Sequence, residues 1–196
     1  MPIKLNGATS GSVELGVPDV VGSDVQNVLL PSTAGTLDRL ERAGNILQVV
    51  QDIKSDTESF SVATLSDSSA ILQQSITISA SSKVLVMATL HMSCTTTFAG
   101  FTFKRDGTSI GISDVSGVRS RVTGLTYNNT TPYSIIPANC MFLDSPGSAG
   151  TYTYSVTGRH SSSATQTIHV NRTADFQNLA KFMNTVSHLT LMEVAG

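Results

Sequence analysis

The chain has no tryptophan, only two cysteines and little charge. With 12 basic and 14 acidic residues, its net charge of −2 gives none of the basic footprint of a nucleic-acid binder. Cys94 and Cys140 match no metal or redox spacing. Both sit in apolar, strand-like runs, Leu90 to Cys94 and Cys140 to Leu143. Buried thiols in a reducing compartment are the expectation there, with a disulfide open if strands place the two side by side. No apolar run reaches the ~18 residues of a membrane-spanning helix, so no helical span is expected. The first residues lack the basic and long apolar regions of a signal peptide. Aromatics are 6% of the chain, which leaves Val, Ile, Leu, Phe and Met to build a core.

Serine and threonine are abundant instead, at roughly a quarter of the residues and well above ordinary usage. The first forty-four residues are short apolar pieces separated by Gly7, Gly11, Gly16, Pro18, Gly22 and Pro31. Ile3-Lys4-Leu5, Ser12-Val13-Glu14-Leu15 and Asn27-Val28-Leu29-Leu30 have strand length and strand residues between turn formers. They hold too few large side chains for a core, and segments below about 40 residues rarely fold without help. A partner chain, further copies or the rest of the chain must order them. Residues 36–44 form a dense charge cluster, in which Thr36 suits a helix cap and Gly44 a helix end. The spacing predicts a linker or short helix, with Asp38, Arg39, Glu41 and Arg42 as a solvated or intersubunit belt.

From residue 45 onward strands recur. Ile46–Ile53, Ser59–Val62, Gln74–Ile78, Tyr133–Ile136, Cys140–Leu143, Thr151–Val156, Thr167–Val170 and His188–Val194 all read as β. Lys83–Met92 is a longer apolar run, suited to a central strand covered on both faces. Phe101–Arg105 and Thr108–Ile112 flank Asp106-Gly107, a two-residue hairpin signal. The longest irregular stretches are 113–132, 144–150, 158–166 and 171–187. The last carries Phe176, Leu179, Phe182 and Met183, which suits a short helix or a loop buried against another subunit. The spacing predicts an all-β antiparallel sandwich, most simply a jelly roll.

The order of several motifs adds to this. Arg42-Ala43-Gly44-Asn45-Ile46-Leu47-Gln48-Val49-Val50 is followed by Ile76-Thr77-Ile78 and Ser81-Ser82-Lys83-Val84-Leu85-Val86. Phe103-Lys104-Arg105-Asp106-Gly107-Thr108, Phe142-Leu143-Asp144-Ser145-Pro146, His169-Val170-Asn171-Arg172 and Leu189-Thr190-Leu191-Met192-Glu193-Val194 complete the series. From about residue 40 to the end, the chain resembles a group of bacteriophage virion proteins, common in marine phages and described as tail-fibre-like. Ile3-Lys4-Leu5-Asn6-Gly7 with Ser10-Gly11-Ser12-Val13 is similar to the N-termini of many phage fibre proteins. The resemblance implies a trimeric jelly-roll head over residues 45–196, and residues 1–35 as a virion-attachment ribbon. It implies no catalytic motif. Ile3, Leu5, Val13, Leu15, Val28, Leu29 and Leu30 are then the expected attachment residues.

The chemistry-bearing residues fit a binding protein better than an enzyme. His91, His160, His169 and His188 show no metal-ligand spacing, so no metal or other cofactor is expected. Asp106, Asp114, Asp144 and Asp175 fall in turns and loops, without the paired carboxylates of a glycosidase. The best ligand candidates are Arg119, Arg121, Tyr127, Asn128, Asn129 and Tyr133, joined by Arg159 and His160 if these lie at the same end of the sandwich. The tyrosines offer flat faces to sugar rings, and the asparagines offer paired donors and acceptors. The bland alternative makes Asn128-Asn129 a turn and the tyrosines core or rim residues. The expected protein is a non-enzymatic, homotrimeric virion component made in a host cytoplasm. Its N-terminus docks on a phage tail or adaptor protein, and its head is free to touch a host-surface glycan. The alternative is a capsid decoration or head-fibre protein.

Overall fold

The computed structural model describes residues 3–6, 12–15, 42–96, 98–127 and 133–196. The chain divides into two compact units, Met1–Leu37 and Asp38–Gly196. In the first, β1 (Ile3–Asn6) pairs antiparallel with β2 (Ser12–Leu15), Ile3 opposite Leu15 and Asn6 opposite Ser12. The expected strand at Asn27–Leu30 and residues 36–41 of the expected helix lie outside the described residues. Arg42 to Asn45 form a turn, with Gly44 in the left-handed region at φ +88°.

Period-two alternation governs the second unit. Its strands are β3 (Ile46–Lys54), β4 (Glu58–Val62), β5 (Ala70–Ile78), β6 (Lys83–Cys94), β7 (Phe98–Arg105) and β8 (Thr108–Ile110). There follow β9 (Gly124–Tyr127), β10 (Ile136–Asp144), β11 (Gly150–His160), β12 (Gln166–Val170) and β13 (Ser187–Val194). One sheet runs β3-β13-β6-β12-β4 with β10 on β6, and the other runs β5-β11-β7-β8 with β9 on β7. All pairings are antiparallel, and the chain shuttles between the two sheets as a jelly roll does. Among the described residues there is no helix.

The core lies between the sheets. Val84, Val86, Ala88, Leu90 and Met92 of β6 face Phe101 and Phe103 of β7 and Tyr154 and Val156 of β11, within one buried cluster. Leu189, Leu191, Ile168 and Val170 complete the first sheet's inner side. Gly124 permits the close approach of β9 to β7, since a Cβ there would overlap the Phe101 ring. Asp106 and Gly107 both have positive φ, 47° and 80°, the two-residue hairpin geometry expected between β7 and β8. Cys94 is buried and Cys140 half-buried, and neither is in a disulfide.

The strand boundaries correct the sequence reading in several places, of which three bear on the ends of the sandwich. Tyr133 to Ile135 precede β10 rather than forming a strand, β11 continues to His160, and residues 124–127, expected to be irregular, form β9. β6 is covered on one face only. Its even-numbered residues are buried, while Leu85, Met87, Thr89 and His91 point outward and keep partial exposure.

Two long strands each have one edge shared by a pair of shorter strands set end to end. On β6 these are β13 and β12, separated by the excursion 171–186. On β7 they are β8 and β9, separated by the excursion 111–123. A side-chain hydroxyl fills the ladder at each break. The His91 N–H donates to Ser187 Oγ at 2.9 Å, and the Phe103 N–H donates to Thr123 Oγ1 at 2.9 Å.

Candidate functional site

The sandwich has two unlike ends. At one, here the base, β3 begins, β6 begins and β5, β7, β10 and β13 finish. Two carboxylates stitch the sheets together there. Asp144 Oδ2 accepts from Arg105 Nη1 at 2.6 Å and from the hydroxyl of fully buried Tyr154 at 2.8 Å. Burial, reinforced by Asp144, pushes the Tyr154 phenol far up, so it remains a proton donor. Glu193 accepts from Gln48 Nε2 and from the Ser79 N–H, each at 2.7 Å. Burial alone would raise this carboxyl, but hydrogen bonds from Gln48, the Ser79 backbone and Ser82 outweigh it and hold it below the usual range.

The opposite end carries a cleft of about 240 Å³ lined by Leu65, Phe98, Gly100, Ser120, Val122, Leu125, Arg159, His160 and Ser161. Phe98 and Tyr127 meet edge to face at 5.9 Å beside it. Leu65, Leu125 and Tyr127 are each 60% exposed or more. Arg159 lines the cleft, and Asp67 behind holds that guanidinium, taking Arg159 Nε and Lys104 Nζ, each at 2.8 Å. Burial acts to raise Asp67, yet the hydrogen bonds and charges of Lys104 and Arg159 prevail and lower it. Two cations on one carboxylate leave this cluster with one positive charge in excess. An apolar, aromatic floor beside a fixed guanidinium can stack one ring face and pair with an acidic or hydroxyl group.

The expected ligand residues separate into groups. Tyr127 and Arg159 belong to this end, as does His160, although His160 is 3% exposed with both nitrogens engaged. Its Nδ1 accepts the Ser162 N–H at 3.1 Å, so its Nε2–H donates to the Val62 carbonyl at 2.8 Å. Arg119 donates to Ser116 Oγ and Arg121 to the Ser113 carbonyl, so both close their own excursion. Tyr133 belongs elsewhere, 6.1 Å from Phe182 between ring centroids, in a hollow of about 420 Å³ with Ile135, Thr173, Lys181 and Met183. A hydrogen bond to Asp175 raises its phenol. Asn128 and Asn129 lie outside the described residues, as do Val28, Leu29 and Leu30 and the side chains of Ile3, Leu5, Val13 and Leu15. Sequence reasoning missed Phe98, Leu125, Leu65 and Asp67. The signal for Phe98 was its parity, out of phase with the inward Ala99, Phe101 and Phe103.

The outer faces of the two sheets also differ. On β5 and β11, Ser75 bonds Thr153 at 2.8 Å and Thr77 bonds Thr151 at 2.7 Å, giving hydroxyl ladders. Across β10, β6, β13 and β3 the register sets Leu143, Leu85, Met192 and Val49 in one outward row. Met141, Met87, Thr190 and Gln51 form the next, and Asn139, Thr89, His188 and Ile53 the third. Met87, Thr89, Asn139, Met141, His188 and Thr190 together line a shallow depression of about 550 Å³. Among the described residues no group of three or more His, Cys, Asp or Glu side chains is placed to hold a metal ion.

Fold and site together define an antiparallel jelly-roll sandwich with one recessed, aromatic end. No family model matches the chain, and no curated protein matches it. Among solved structures it is similar to a chain in the structure of infectious bursal disease virus Gx strain, at 14% identity and a TM-score of 0.36. That match covers 97% of this chain and 45% of the other, so this chain spans less than half the length of its counterpart.

Proposed function

We propose that the protein is a non-enzymatic structural component of a bacteriophage virion, a homotrimeric tail fibre. Residues 1–35 dock on a tail or adaptor protein, and the sandwich adheres to the host surface through its cleft. The supporting observation is the placement of the two ends. The polypeptide enters the sandwich at the base through Asn45, whose carbonyl accepts the Ala195 N–H, while the cleft lies at the far end of β6 and β7. A 12-residue strand spans about 40 Å, so the cleft lies about that far from where the chain enters the sandwich. Three such clefts on one fibre gain by avidity what each lacks in affinity. The hydroxyl-clad outer face of β5 and β11 suits a particle exposed to changing salt, since it presents few charges to screen.

Gold-labelled antibody against the protein, applied to intact particles, tests the location. Label at the tail is expected, label over the capsid shell supports the decoration reading, and unlabelled particles remove the virion assignment. Retention of the labelled full-length protein on host cells tests adhesion. Tyr127→Ala is expected to lower retention at least tenfold with an unchanged melting curve, and undiminished binding removes the cleft from the account. Depolymerisation of host polysaccharide by the purified protein would overturn the non-enzymatic assignment.

A further inference from the structure

β6 carries apolar side chains on both faces, Leu85 and Met87 on the outer one, and among the described residues only the inner face is covered. We infer that the outer face of β10, β6, β13 and β3 is where copies of this chain pack on one another; this rests on the oligomeric reading above and names its interface. Leu143, Leu85, Met192 and Val49 give a row without a polar atom in any side chain, and Met141 with Met87 extend it. Met141 is 66% exposed and Val49 53%, so among the described residues of the sandwich nothing shields these positions.

The occupant that fits is a second copy. The three rows carry no carboxylate, ammonium or guanidinium, so the face meets its own likeness without like-charge repulsion and needs no complementary charge from a foreign partner. Methionines adapt their shape, which suits a surface that must close around a symmetry axis. Three rows about 7 Å apart on four strands about 4.8 Å apart project roughly 400 Å², about half of the ~800 Å² per partner in a standard interface, which makes this face the apolar centre of a contact with a wider polar rim. The opposite outer face, laddered with Ser75–Thr153 and Thr77–Thr151, already satisfies its own hydroxyls and offers no such area.

Light scattering on the full chain tests this. The native protein is expected at a multiple of its 20.6 kDa protomer. The paired change Val49→Glu with Met141→Glu is expected to reduce it to one protomer with its β circular dichroism intact. Thr153→Glu on the hydroxyl face is expected to leave the native mass. Should the paired variant lose its fold, Gln51→Arg, an exposed polar exchange in the second row, is read in its place. An oligomer that survives the outer-face change overturns this interface while leaving the oligomeric reading standing. A native monomer overturns the oligomeric reading itself.

Discussion

Asn171 is buried and sits in the left-handed region at φ 59°. Its Nδ2 donates to the Lys54 and Asp56 carbonyls at 2.7 and 2.9 Å, and its Oδ1 accepts the Ser187 hydroxyl at 2.6 Å. Its own N–H donates to the His91 carbonyl, so one residue joins β3, β6 and the start of β13. Asparagine is among the few non-glycine residues that adopt this backbone readily, and its amide spans partners on two strands at once. Asn171→Ala orphans the two carbonyls and the Ser187 hydroxyl and forces alanine into a strained φ. The expected loss is on the order of 3 kcal/mol in urea unfolding. A loss under about 0.5 kcal/mol would show that these bonds do not hold the seam. Nothing in the local sequence shows what Asn171 holds, because the two carbonyls that its amide binds lie more than a hundred residues away.

The elements themselves were legible where alternation was strict. β5 declared its buried face through Ile76-Thr77-Ile78, and Asp106-Gly107 declared the β7–β8 hairpin, whereas β6 was legible as a strand but not in its single covered face, because Leu85 and Met87 break the polar–apolar alternation. β9 was not legible, because Gly124-Leu125-Thr126-Tyr127 is held by pairing with Phe98 to Phe101 and by a glycine that fits under a ring. The cleft was half legible. Tyr127 and Arg159 carried the residue types expected of a ligand site, but only the folded register separates them from Tyr133. The breaks in the ladders were hidden for the same reason. Thr123 Oγ1 accepts from Phe103 and donates to the Ile110 carbonyl at 3.1 Å, standing in for a missing strand. Thr123→Val keeps the shape and removes the hydroxyl. We expect about 1–2 kcal/mol of destabilisation and faster hydrogen exchange at the Phe103 amide. Unchanged exchange there would mean that the threonine does not close the ladder.

At the scale of the whole molecule, acid is the expected weakness. Burial, reinforced by the charge of Arg172, lowers the His169 imidazole. The unfolded chain therefore takes up that proton first, near pH 6.5, and stability falls as pH drops from there through the folded value. Asp67 and Glu193 are held below the carboxylate range. Their contribution is complete above the unfolded values near 4 and is lost as pH falls through the folded ones. Urea midpoints measured between pH 8 and pH 3 should thus decline in two stages, and His169→Gln should shrink the upper one. A midpoint flat across that range would contradict both assignments. The separation of base and cleft has a mechanical consequence. In a fibre docked and adhering as proposed, tension between the entry to β3 and the cleft runs along the strand axes. β3 and β13 are paired from Lys54–Ser187 to Ile46–Val194, with hydrogen bonds perpendicular to that pull. Such a ladder is loaded in shear, and its bonds must yield together rather than unzip singly, so the sandwich resists tension along that line.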